Sequence, residues 1–401
     1  MTEPHWKPIV HQKRLTQLHV PPQLTGCLTE VFFYWAPQRA KLLDEGFEIT
    51  GRKTGPLHEV PVSAKDWFDV EASDTTVGWV GLANKPAAKS DPIVQPLETM
   101  GPVLYVMADI PYLSVNAFNI KLIPGGSSGG EGALVGTGGS VLGIGTDIGG
   151  SVRVPSNLQG LLSICRTTGR VRWNCSFMRQ HLLVPPVTGP IARSLSIVEY
   201  FMQSLLDSNP WDLDPGRILI PWRINYGDGV VRAQPPTKSF LADGRHHCRH
   251  LCALVDEPLI QGMVVGIPAD ELSSTEKEKL EEEKYTLQAS YLSQWVTSGI
   301  DALLPQWVQS RQWLGCSALY TLLNYAAVIA PIGKADKELD HPVSGIDERK
   351  GYAPRKKHDI DLLKGVPVTV QIVGGRFGKD RAVSVAKVVD GLLTRMILDR
   401  E

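Results

Sequence analysis

Residues 125–151 read GGSSGGEGALVGTGGSVLGIGTDIGGS and hold twelve of the chain's 38 glycines in 27 positions. Glycine loses more conformational entropy on folding than any other residue, so this density marks backbone that turns sharply or approaches something closely. Ser127 and Ser128 stand near the start of the stretch and Ser151 at its end. Backbone N–H groups in such turns can surround an anion, and a hydroxyl at each end supplies a nucleophile and a proton carrier.

Other chemistries that use glycine-rich turns fit poorly. A phosphate-cradling loop needs GxxxxGK followed by Ser or Thr, and no lysine occurs between Gly125 and Ser151. A dinucleotide fingerprint needs GxGxxG, but Gly143 and Gly145 are followed by Ile148 where the third glycine belongs. Gly125-Gly126-Ser127-Ser128-Gly129 satisfies the nucleophile elbow GxSxG of serine esterases literally. That motif requires a strand running into the turn, and Pro124 lacks the N–H a central strand uses. A lysine-activated serine hydrolase remains. A neutral lysine can serve as base if burial lowers its pKa, a second serine can relay the proton, and the turn Asp147 to Ser151 can aim consecutive N–H groups at a developing oxyanion.

Upstream, Val60, Val62 and Ala64 alternate as a short strand, with Lys65-Asp66 at its end. From spacing alone, an exposed lysine where strand meets loop is the commoner reading. Val103 to Met107 gives a second strand. Helical spacing is expected over Lys7 to His19 and over Leu28 to Glu45, with further helices from Ser194, whose hydroxyl would cap it, and after the capping box Ser273-Ser274-Thr275-Glu276. Asn209 to Pro236 is rich in Pro, Trp and Gly and is expected to be irregular. Leu322 to Pro331 forms a core element, Val366 to Ile372 alternates as a strand, and Ala382 to Leu398 forms a terminal helix. Interleaved strands and helices indicate an α/β layered architecture.

The 401 residues carry 41 basic and 42 acidic side chains, so no global field draws in nucleic acid or an anionic membrane. The polar start MTEPHWKPIVHQKRL lacks the apolar centre of a signal peptide and no apolar run reaches bilayer length, which leads to the expectation of a cytoplasmic protein. Six scattered cysteines fit reduced thiols. His246, His247, Cys248, His250 and Cys252 lack a second ligand pair at finger-like spacing and read as a basic, polar helix end.

GGSSGGEGA followed by TDIGGSVRVPS resembles the amidase signature family, and GPLHEVPVSAKD, GPIARS (189–194), NPWDLDP (209–215), EPLIQGM (257–263), EKYTLQASYLSQW (283–295) and GVPVTVQIVGGRF (365–377) look like its fungal acetamidase and general amidase members. The resemblance implies one amidase domain over 1–401. It divides into an N-terminal helical region (1–50), a catalytic core (51–200), a shortened substrate-side region (201–315) and the C-terminal part of the core (316–401). The implied fold is α/β, a central twisted mixed β-sheet covered by helices on both faces.

The resemblance further implies Lys65 as general base, Ser127 as bridging serine and Ser151, 24 positions later, as nucleophile. The N–H groups of Ile148, Gly149, Gly150 and Ser151 would form the oxyanion hole. Ser128 would shape the turn beside the substrate, and Asp147 and Arg153 would brace the loop. The implied substrate is a small amide and the chemistry needs no metal or organic cofactor; homodimerisation is left open.

The chain also departs from the family. It is short, with blocks missing near Gln23-Leu24, between Ile110 and Pro124, around Asp243 to Val255 and near Pro305 to Trp313. Glu59 replaces a customary glycine beside the lysine strand. A non-catalytic relative or a truncated gene product is the alternative to an amidohydrolase.

Overall fold

The computed structural model describes residues 25–110, 114–169, 184–209, 218, 220, 222, 273–298, 315–336 and 363–398. The expected helix at Lys7–His19, the cluster from His246 to Cys252, almost all of Asn209–Pro236 and the shortened blocks around 243–255 and 305–313 lie outside the described residues.

The parallel centre of the sheet is set by three strands, β2 (Pro61–Lys65), β3 (Val103–Ala108) and β4 (Leu142–Asp147). Ala64 pairs with both Met107 and Ile144. Around them lie β1 (Leu28–Val31), β5 (Leu162–Cys165), β6 (Val187–Ala192), β7 (Ala327–Lys334) and β8 (Pro367–Val373). The eight strands run in the order β1-β3-β2-β4-β6-β5-β7-β8, with every pairing outside the β3-β2-β4 group antiparallel.

Alternation along β2 separates the two faces. Val62 and Ala64 join a core with Leu142, Ile144, Val198, Phe201, Ala382 and Val383. This core packs against α2 (Val94–Met100), α5 (Leu195–Asp207) and α8 (Lys379–Leu398). Ser63 points the other way, toward α3 (Gly129–Gly136), where its hydroxyl meets Glu131. Gly143 leaves room for that carboxyl, because a Cβ there would lie 2.2 Å from Glu131 Oε2. Helices α4 (Arg153–Leu158) and α7 (Gly315–Leu322) complete the surroundings of the site.

Two local expectations are corrected. The helix expected over Leu28–Glu45 begins only at α1 (Trp35–Thr50), and Leu28–Val31 is an edge strand paired antiparallel with β3. Backbone partners on β3 override the helical spacing of its side chains. Ser194 does precede α5, but its hydroxyl meets Ser196 Oγ at 2.6 Å and makes no cap hydrogen bond. The capping box does form at α6 (Ser274–Ser298): Glu276 N–H donates to Ser273 Oγ at 3.3 Å and Ser273 N–H to Glu276 Oε2 at 2.8 Å.

Candidate active site

Parallel strands expose a common carboxyl end, where successive loops meet and ligands of α/β sheets bind. Here β2 ends at Lys65, β3 at Ala108 and β4 at Asp147. The glycine-serine stretch supplies the loop into α3 and the loop between β4 and α4. Residues 114–124, the shortened approach to the first serine, are docked on the end of α4. Asn116 Nδ2 donates to the Leu158 carbonyl at 2.9 Å and Ala117 N–H to Gln159 Oε1 at 2.9 Å.

Lys65 is wholly buried, with Nζ 2.7 Å from Ser127 Oγ and 2.9 Å from Thr146 Oγ1. Burial lowers its pKa to about 7, against the opposing pull of Asp147 and Glu131. The lysine is therefore a neutral base for a substantial fraction of the time near pH 7. Glu131 is equally buried, one helix turn beyond Ser127. Its Oε2 accepts from Ser63 Oγ at 2.6 Å, and burial pushes its pKa up to about 8 despite Ser63 and Lys65. A carboxyl in this state leaves the lysine without an ionised neighbour on α3.

The two serine loops are joined by backbone: Ser128 N–H donates to the Ser151 carbonyl at 2.9 Å. Ser127 and Ser151 are both partly accessible, whereas Ser128 is wholly buried. The Ser128 hydroxyl sits against the Thr146 backbone, 3.3 Å from both N and O. The Ser128 side chain is thus held under β4. Gly145 is required there, since a Cβ would lie 2.6 Å from Ser128 Oγ.

Asp147 organises the second loop. Its Oδ1 accepts from Gly150 N–H at 2.7 Å, and its Oδ2 from the N–H groups of Val152 at 3.1 Å and Arg153 at 3.3 Å. The Arg153 guanidinium grips both oxygens, through Nη2 at 2.9 Å and Nε at 3.0 Å. Burial raises the pKa of Asp147, but the Arg153 charge and these donors outweigh it and hold the carboxyl below the usual range. The Gly150 N–H, expected among the oxyanion donors, is here held by Asp147 Oδ1. Among the described residues, the N–H groups of Ile148, Gly149 and Ser151 have no acceptor in the fold.

Arg153 also reaches Gln371 Oε1 on β8 at 3.1 Å, the Ser317 carbonyl on α7 at 2.8 Å and Thr321 Oγ1. Thr146, Glu131, Ser317, Thr321 and Gln371 were not among the residues expected from sequence. Glu131 carried a readable signal, a single charge in a run of small residues. The others lie in ordinary strand or helix segments, and only the fold brings them to the loop.

The ordered serines, the buried lysine and the braced glycine turn agree with the Amidase family model, which matches residues 13–226. The chain belongs to the amidase signature family. The chain is 31% identical to Amidase 1 of Gibberella moniliformis over 96% of its own length and 89% of that relative's. It is 28% identical to an acetamidase of Aspergillus oryzae over 92% of this chain and 84% of that one. Among solved structures, a fatty acid amide hydrolase superposes with a TM-score of 0.76 at 25% identity, covering 92% of this chain and 79% of the other. The peptide amidase of Stenotrophomonas maltophilia shares the fold at 15% identity, with a TM-score of 0.63 and coverage of 94% and 90%. The alignment with Amidase 1 spans 468 positions, more than the 401 residues of this chain, so the chain lacks internal stretches that its relative carries.

Proposed function

We propose that this amidase hydrolyses a small linear carboxylic acid amide to the acid and ammonia through an acyl-enzyme on Ser151. The observation that carries this reading is the buried Lys65 Nζ at 2.7 Å from Ser127 Oγ. Neutral Lys65 takes the Ser127 proton as Ser127 takes that of Ser151. The Ser151 Oγ then bonds to the amide carbon, and the carbonyl oxygen becomes an anion facing the N–H groups of Ile148, Gly149 and Ser151. The C–N bond breaks as Ser127 protonates the leaving nitrogen and recovers a proton from the Lys65 ammonium. Water, activated by the same pair, attacks the ester, and its C–O bond to Ser151 breaks to release the acid.

Support for a small acyl group comes from the acetamidases among the relatives, in Aspergillus oryzae and Emericella nidulans. An esterase built on Ser127 is disfavoured, because Lys65 occupies the position beside that hydroxyl which the elbow mechanism gives to histidine.

The test is labelling of the full-length protein with a fluorophosphonate, followed by mass mapping, alongside turnover of acetamide and propionamide. The expected label is on Ser151, and Ser151→Ala abolishes both label and turnover. A label on Ser127 would support the esterase. A folded protein that neither labels nor turns over would support the non-catalytic alternative.

A further inference from the structure

One peptide unit of the β4–α4 loop is gripped at both ends. The Gly149 carbonyl accepts from Ser317 Oγ at 2.6 Å, and the Gly150 N–H of that same peptide donates to Asp147 Oδ1 at 2.7 Å. A peptide is a rigid plane, so these two contacts fix its rotation about the line joining the two α-carbons. That rotation is otherwise unusually free, because both flanking residues are glycines and Gly150 already sits at φ +127°.

Ser317 lies on α7 with 1% of its surface exposed, far from the loop in sequence but packed directly on it. A Cβ at residue 150 would lie 2.5 Å from Ser317 Oγ and 2.8 Å from its Cβ. Helix α7 is itself tied to the loop brace, since the Ser317 carbonyl accepts from Arg153 Nη1 at 2.8 Å.

We propose that Ser317 is a positioning residue for oxyanion stabilisation: its hydroxyl holds the 149–150 peptide in the one orientation that leaves the neighbouring N–H groups turned toward the substrate. The proposal rests on the amide-hydrolysis reading above. Without the Ser317 hydrogen bond the Gly149 carbonyl is released from α7. Rotation of the plane then carries that oxygen toward the oxyanion, where two partial negative charges repel. The loss falls mainly on the transition state, because a neutral ground-state amide makes weaker demands on those donors.

The experiment compares wild type with Ser317→Ala, and with Ser317→Cys, which keeps a side chain of similar shape but a far weaker donor. Fluorophosphonate labelling at Ser151 in wild type comes first; its absence would remove the hydrolysis reading, and this proposal with it. With labelling present, Ser317→Ala is expected to lower kcat by about 10- to 100-fold with little change in KM. Affinity for a short aliphatic aldehyde, which forms a tetrahedral adduct on the nucleophile, is expected to fall by the same factor as kcat/KM. Ser317→Cys is expected between wild type and alanine, and it carries the test if the alanine protein fails to fold. Unchanged kcat, or a loss of kcat with aldehyde affinity intact, would overturn the proposal while leaving Ser151 as nucleophile.

Discussion

Lys65 is a costly residue. An ammonium wholly removed from water must either find a counter-ion or lose its proton, and among the described residues Nζ meets the hydroxyls of Ser127 and Thr146, with the Trp67 ring centroid 5.0 Å away. Its proton affinity depends on the ionisable groups around it: Asp147 at the end of β4, which is shared with Arg153, and Glu131 on α3, near which Tyr105 of β3 and Cys27 before β1 also lie. With Glu131 held to about 8 the carboxyl is mostly protonated near neutrality, and with Lys65 held to about 7 the amine is neutral about half of the time there. The sign of the rate effect follows. In the mechanism proposed above the free base is the active form, so kcat/KM for amides is expected to fall as pH drops through about 7. Glu131→Gln replaces a carboxyl that is already neutral there, so this acid limb is expected to stay in place. Rate profiles of the two proteins from pH 5 to 9 check the point. A shift of the limb to lower pH in the glutamine variant would mean that wild-type Glu131 is ionised and was supporting the ammonium form.

At the scale of elements, the turn that launches β2 carries a visible strain. Glu59 has φ +63°, a conformation an L side chain adopts at a cost of about 1 kcal/mol. Its N–H is fixed to the Gly101 carbonyl at 2.8 Å and that of Leu57 to the Met100 carbonyl at 2.8 Å, so the turn cannot relax without leaving the α2–β3 connection. Its carboxyl lies 3.4 Å from His58 Nε2, and a hydrogen bond with Asp44 raises its pKa. Glu59→Gly is therefore expected to stabilise the protein by about 1 kcal/mol, and Glu59→Ala, which keeps the Cβ, to give little of that gain. Urea midpoints at constant m-value measure both; equal gains in the two variants would assign the effect to charge instead. This strain was legible in the sequence only through the resemblance, which implies a glycine where this chain has Glu59. The strands β2 and β8 were legible because their alternation reports a two-faced burial that holds for any partner, and β3 as a short continuous apolar run. Leu28–Val31 was not, because its state is decided by β3, and apolar spacing over four residues fits a helix equally well. The hydrogen bond from Gly150 N–H back to Asp147 was not legible, because no motif carries the fold of the turn that brings the two together.

For the whole molecule, the family-specific part and the folding unit are different things. The matched segment, residues 13–226, contains Lys65, Ser127, Ser151 and six of the eight strands. Yet β5 lies between β6 and β7, and β8 pairs only with β7, so the outer edge of that segment is completed by the C-terminal part of the chain. Arg153 adds the same dependence inside the site. Its Nη1 relies on Ser317 and Gln371, and its Nη2 on Thr321 as well as Asp147. A fragment of residues 1–226 would leave the Ser163–Cys165 edge unpaired and strip a buried guanidinium of three acceptors. Removing the partners of a buried charge typically costs about 3–5 kcal/mol, a large part of the stability of an ordinary domain. An open apolar strand edge also favours association between chains. The fragment is thus expected to show no cooperative urea transition and to aggregate, whereas the full chain unfolds in one transition that includes the site. Circular dichroism and light scattering on both proteins decide this. A cooperative transition in the isolated fragment would mean that β7, β8 and α7 dock onto a preformed core, and the loop between β4 and α4 would then owe its shape to Asp147 and Arg153 alone.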